Sequence, residues 1–154
     1  MNENLNHIVA NINATLAAQS LWDGFWIHSF KTNTLIISCS FDKMYYRSFD
    51  LVFKKVTFFN LPDAWRDTNV AGDTFLRLAT KEEFMKQQPI VDIGDNQLFA
   101  VDLIIDTKKQ SFFIAAKHVF LNECTPLNNN PVAEYTDPYK GEKMPVLKNR
   151  VIKK

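Results

Sequence analysis

Few side chains in this sequence have the types and spacing from which chemistry is built, and most of those stand apart. The three histidines, His7, His28 and His118, have neither the i, i+3 or i, i+4 spacing nor the flanking Cys or Glu of a metal site. Their scatter predicts surface or rim positions. His28 and His118 would form a general base only if their strands were neighbours with an Asp at hand. Carboxylates cluster twice, as Asp92-x-x-Asp95 and as Asp102-x-x-x-Asp106. The first pair lies in I-V-D-I-G-D-N-Q, a turn composition that lacks the third acidic position and the terminal Glu of a calcium loop. The second pair falls on the polar side of an alternating run, where solvated charge is expected. Cys39 and Cys124 are too few for a disulfide framework, and both read as structural thiols. There is no G-x-S-x-G, G-x-G-x-x-G, G-x-x-x-x-G-K or paired C-x-x-C, and 4 glycines leave little for a phosphate-cradling loop. No cofactor and no metal is expected, and the missing motifs point to a binding protein rather than an enzyme.

Aromatic residues outside the strand patterns are the more suggestive signal. Tyr45 and Tyr46 fall between two strands, Trp65 stands beside Arg66 and Asp67 in a long irregular stretch, and Tyr135 and Tyr139 lie near the C-terminus. Trp, Tyr and Arg are the residue types that anchor interfaces. Tyr45, Tyr46, Trp65, Arg66, Asp67, Asp102 and Asp106 are therefore the candidate partner-binding residues. Packing of the same loops back onto a sheet is the competing expectation.

The elements that would position these residues follow from periodicity. Phe99, Val101, Leu103 and Ile105 alternate with Ala100, Asp102 and Asp106, the period of a strand with one wet face, broken only by Ile104. With the β-branched and aromatic run Ser111 to Glu123 and the polar link T-K-K-Q, this predicts a central antiparallel hairpin over 97–123. Ahead of it, Leu5, Ile8, Val9, Ile12 and Leu16 mark an amphipathic helix over 4–19, with Asn2 or Asn4 as its cap. Phe25 to Phe30 and Thr34 to Phe41 predict a hairpin whose turn is eased by Asn33. Arg47 to Phe59 reads as a longer strand in which Val56 and Phe58 slip out of phase after Lys54-Lys55, so a bulge is expected there. Residues 61–72 read as a loop, 73–79 as a short strand, and Thr80-Lys81-Glu82-Glu83 as a capping box opening one or two helical turns before Pro89. The order predicts an α+β fold: a meander-like antiparallel sheet of about six strands, an N-terminal helix on one face and a short second helix.

At 154 residues the chain has the length of one domain, 1–124, followed by a proline- and asparagine-rich segment over 125–154 expected to dock on the body. Thirteen Phe against 4 Gly tilt the class toward β structure. Of 18 basic and 17 acidic side chains, six basic and one acidic lie in 140–154, leaving 12 and 16 in 1–139. The body is acidic and the end basic, which argues against nucleic acid as partner. No apolar run has the length of a membrane span and the N-terminus lacks signal-peptide character, so a cytoplasmic protein is expected.

The strands N-T-L-I-I-S-C-S-F and R-S-F-D-L-V-F-K-K-V-T-F-F, with L-F-A-V-D-L-I-I-D and F-F-I-A-A-K-H-V-F-L later, give residues 22–123 a pattern that resembles the immunity proteins encoded beside polymorphic and contact-dependent toxins of bacteria. The resemblance rests on strand patterning, and no functional residue is carried over. It implies a non-catalytic protein that binds and neutralises a cognate toxin. The alternative expectation is a small-molecule binder or enzyme with a Phe-lined pocket inside a curled sheet.

Overall fold

A computed structural model describes residues 2–18, 24–40, 47–65, 75–124, 135–136 and 143–144. The apolar stripe of the first segment forms helix α1 (Asn2–Ala17), with Val9, Ile12 and Leu16 buried, so Asn2 and Asn4 fall within the helix. Strands β1 (Gly24–Lys31) and β2 (Thr34–Ser40) form the expected hairpin. Both turn residues are left-handed, Thr32 at φ 50° and Asn33 at φ 57°, as a two-residue hairpin loop requires. Strand β3 (Phe49–Lys54) pairs with β2, and Leu35, Ile37, Cys39, Phe49, Leu51 and Phe53 share the inner face.

At Lys55 the chain turns, and β4 (Phe58–Phe59) belongs to a second sheet. The expected bulge is present: residues 55–57 oppose only 116–117, and Lys55 takes φ 56°. It returns Val56 to the face of Phe49, Leu51 and Phe53 but not Phe58, which was expected there too: Phe59 takes the core side and Phe58 faces the other side of the second sheet. Beyond β5 (Ala64–Trp65) and β6 (Leu76–Leu78), helix α2 (Lys81–Gln87) opens on the predicted capping box, with Thr80 accepting from the Glu83 N–H and Glu83 accepting from the Thr80 N–H. The central hairpin is β7 (Gln97–Ile105) and β8 (Lys108–Ala116), turning at Asp106-Thr107 rather than through T-K-K-Q. What reads in sequence as one strand from Ser111 to Glu123 is two, for the chain changes sheets at Lys117 and continues as β9 (His118–Glu123).

One sheet has the order β5-β1-β2-β3-β9 and the other β4-β8-β7-β6. The expected α+β antiparallel fold is therefore present, its strands divided between two sheets instead of about six in one. The two share a bent ribbon, because β3 runs on into β4 while its partner β9 is the continuation of β8. Strands that change sheet at a bulge make the corner of such a packing. Phe25, Phe53 and Phe99 are fully buried between the sheets, and Phe25 stacks on Trp65 and Phe75. Phe25, Phe75 and Trp65 thus pack on one another, as do Phe53 and Phe99, whereas Phe49 and Phe120 border a cleft beside α1. Sheet β4-β8-β7-β6 is covered on its outer face too, where Phe84 of α2 packs against the cluster of Leu98, Ala100, Phe113 and Ala115.

Helix α1 contacts both β6 and β9, edge strands of the two sheets. Near the C-terminus, β10 (Tyr135–Thr136) pairs with β11 (Lys143–Met144). The remainder of 125–154, and with it the expected docking of that segment, lies outside the described residues. Among the described residues no helix is long and apolar enough to cross a membrane.

Candidate functional site

Two polar clusters and one cleft gather the chemistry of the described residues. The first cluster lies on the outer face of the five-stranded sheet, where Ser38 and Asp50 are register partners on β2 and β3. Ser38 Oγ donates to Asp50 Oδ1 at 2.6 Å, and Arg47 Nη2 faces Asp50 Oδ2 at 3.4 Å, an ion pair without hydrogen-bond geometry. Asp50 is 0% exposed and Arg47 5%. A carboxylate so fully withdrawn from water would be costly without its cation. A bulge in β1 between Ile27 and Ser29 accompanies the reach of His28 toward Arg47, whose Nη1 meets the ring Nε2. A guanidinium can only donate, so Nε2 accepts and the imidazole proton sits on Nδ1. Ser, Asp and His thus occur together, but in the order Ser–Asp–Arg–His. The hydroxyl donates to a charge-balanced carboxylate and not to the imidazole, which is not the arrangement that activates a nucleophile.

The second cluster lies on the outer face of the other sheet and is centred on Arg77 of β6. Its Nε donates to Asp102 Oδ2 at 2.7 Å, and Nη1 and Nη2 each donate to a Glu83 carboxylate oxygen at 2.8 Å. Ser111 Oγ completes Asp102 at 2.6 Å. The bidentate bonds from Arg77, with help from the Thr80 N–H, lower the Glu83 carboxyl to about 2 despite its partial burial, and the same bonds raise the Arg77 pKa. The expectation of a solvated Asp102 is corrected: it is buried, because Arg77 and Ser111 flank it on the same face and α2 covers the residues preceding it.

Of the other candidate residues, Trp65 is only 9% exposed, stacked on Phe25 at 5.5 Å, so core packing and not surface anchoring describes it, and the 61–72 stretch contains strand β5. Asp106 is exposed at the β7–β8 turn with φ 52°. Tyr45, Tyr46, Arg66 and Asp67 lie outside the described residues, as does Tyr139. His28 and His118 do not meet, since β2 and β3 separate their strands, and His118 is instead the register partner of Lys54. Asp95 accepts from Lys117 Nζ at 3.3 Å, which lowers its pKa, and the Asp92 carbonyl accepts from Thr57 Oγ1 at 2.6 Å. Cys39 is buried, and desolvation together with the nearby Asp50 charge pushes its thiol far up, as befits an inert side chain. Among the described residues no three His, Cys, Asp or Glu side chains are grouped to hold a metal.

The cleft, of about 370 Å³, lies between α1 and the β3–β9 side of the five-stranded sheet, lined by Ile8, Ile12, Thr15, Phe49, Leu121 and Glu123 among others. Sequence reasoning passed over Arg47, Arg77 and Asn13. The two arginines carry no signal in their own neighbourhood. Asn13 has one, in that it sits beside Ile12 and one turn after Val9, at the border of the apolar stripe of α1. Its amide faces β6: Nδ2 donates to the Leu76 carbonyl at 2.6 Å and Oδ1 accepts from the Leu76 N–H at 2.9 Å. No family model, no curated protein and no solved structure matches this chain.

Proposed function

We propose that the protein is a non-catalytic binding protein, and within that class an immunity protein that neutralises a cognate toxin in the cytoplasm. The observation that carries this reading is that the charged groups of both clusters are engaged internally: Arg77 is taken up by Glu83 and Asp102, while the fully buried Asp50 accepts from Ser38 and is balanced by Arg47, its Oδ2 accepting no hydrogen bond among the described residues. A general base or nucleophile needs a face toward its substrate, whereas Arg77, Glu83 and Asp102 bond one another and Asp50 is withdrawn from the surface beside Arg47. The strand pattern resembling toxin-immunity proteins supplies the narrower class, and the acidic balance of residues 1–139 suits a protein partner better than a polyanion.

The test is co-purification with the product of the adjacent gene, followed by titration calorimetry. A dissociation constant in the nanomolar range, with loss of the partner's toxicity when both are expressed, is the expected result. Failure of any neighbouring product to bind more tightly than about 1 µM would remove the toxin reading.

A further inference from the structure

The edges of the two sheets are not treated alike. A strand edge displays unpaired N–H and C=O groups, and proteins usually blunt it with short length, lysine, proline, a bulge or a covering element. Strands β4 and β5 have 2 residues each, and β6 is closed by the Asn13 amide, which meets both outward groups of Leu76 as a neighbouring strand would. Strand β9 has 6 residues, H-V-F-L-N-E, and none of these devices within it. The Cys124 N–H bonds the Ser48 carbonyl at 2.9 Å, which sets the phase of the ladder with β3. Phe120 and Asn122 therefore face β3, and Val119, Leu121 and Glu123 turn their N–H and C=O groups to the other side. Among the described residues none bonds those groups. Beside this edge runs α1, and the 370 Å³ cleft lies where the two meet. Among the described residues Glu123 is the one charged side chain lining the cleft, and neither α1 nor β9 contains Lys or Arg.

We infer that the β9 edge and the adjoining cleft take an extended segment of another polypeptide, added as a further strand to the five-stranded sheet. This rests on the reading of the protein as a protein binder and names the surface it uses. Main-chain hydrogen bonds to Val119, Leu121 and Glu123 supply affinity, and side chains at alternate positions supply specificity. The recognised segment carries an apolar side chain for the cleft wall of Ile8, Ile12 and Leu121. Two residues away, on the same face, it carries Lys or Arg opposite Glu123, because Leu121 and Glu123 are themselves two apart.

Panning the full-length protein against a phage-displayed random peptide library tests this directly. Enriched peptides should alternate, with an apolar residue two positions from Lys or Arg. Their affinity should fall by about tenfold or more in Thr15→Trp, which fills the cleft from the helix side and leaves the strand untouched. Glu123→Lys should replace the enriched basic position by Asp or Glu, an exchange of preference that a damaged fold would not produce. The inference is overturned by the absence of an alternating motif, or by enriched peptides indifferent to both substitutions. It is equally overturned by sedimentation showing a dimer that Glu123→Lys dissociates, for then a second copy occupies the edge. A toxin that binds while the peptides fail would place the toxin elsewhere, and peptides that bind without any toxin would leave this edge site standing alone.

Discussion

At the scale of single residues, two arginines decide how the sheets carry buried charge. The Glu83 carboxyl is held at about 2 against an ordinary 4.5, chiefly by Arg77, so the unfolded chain binds a proton that the folded one refuses across that interval. The stability this confers is full above the ordinary carboxylate value and is lost as pH falls toward 2. Melting temperature measured from pH 6 to pH 2.5 should therefore drop less steeply in Glu83→Gln than in the parent protein, and parallel curves would dismiss the Arg77–Glu83 bond as a source of acid sensitivity. None of this is visible in the sequence around Asp102. Alternation places that residue on the correct face of its strand, but the cation that accompanies it stands on β6 and the second carboxylate on α2. Periodicity reports which face a side chain takes and is silent about what arrives to cover it. The same limit explains Trp65, whose polar neighbours suggest exposure while a two-residue pairing with β1 turns it inward.

At the scale of elements, local signals were the dependable ones. The Thr80 to Glu83 box, the left-handed Asn33 and the apolar stripe of α1 each name a structure through chemistry confined to a few residues. The β7–β8 turn is less well provided, because Asp106 and Thr107 both adopt positive φ, at 52° and 68°, without a glycine. A left-handed conformation costs an L-residue about 1–2 kcal/mol, and a β-branched one tolerates it poorly. Thr107→Gly with Asp106→Asn, the pair preferred in such loops, should raise stability by about 1 kcal/mol and the melting temperature by about 2–4 °C. A scan showing no gain would mean that the turn is not strained. Asn13 offers a second element-level test. Asn13→Ala removes two hydrogen bonds from the open side of β6 and leaves the Leu76 N–H and C=O without partners, which should cost about 1–3 kcal/mol. Amide exchange at Leu76 should quicken more than at Ala100 on β7, and equal changes at both sites would point to general loosening instead.

At the scale of the whole molecule, the shared ribbon is what the sequence conceals most effectively. The run F-F-I-A-A-K-H-V-F-L is apolar and strand-forming throughout, so nothing in its composition announces that Lys117 ends one sheet and begins another. Only the opposite strand, with its extra residue at 55–57, discloses the bend, and pairing between distant segments cannot be read from either alone. Two sheets joined by continuous strands cannot come apart independently. Urea titrations followed by Trp fluorescence, which includes Trp26 and Trp65 of the five-stranded sheet, and by exchange of the Ile114 amide in the other should give coincident transitions, and two separate midpoints would contradict the coupling. The ribbon also imposes a timetable. Strands β1 to β3 leave the ribosome early, but β3 waits for β9, and β4 for β8, both of which are made much later. Until β8 has emerged at residue 116, the apolar side chains of the first hairpins lack the second sheet as their opposite wall, and until residue 123 has emerged β3 lacks its outer partner. A nascent chain halted before β8 should therefore remain sensitive to protease. Once released, a topology closed by such distant pairings should fold in milliseconds to seconds rather than microseconds, with the joining of the ribbon as its slow event.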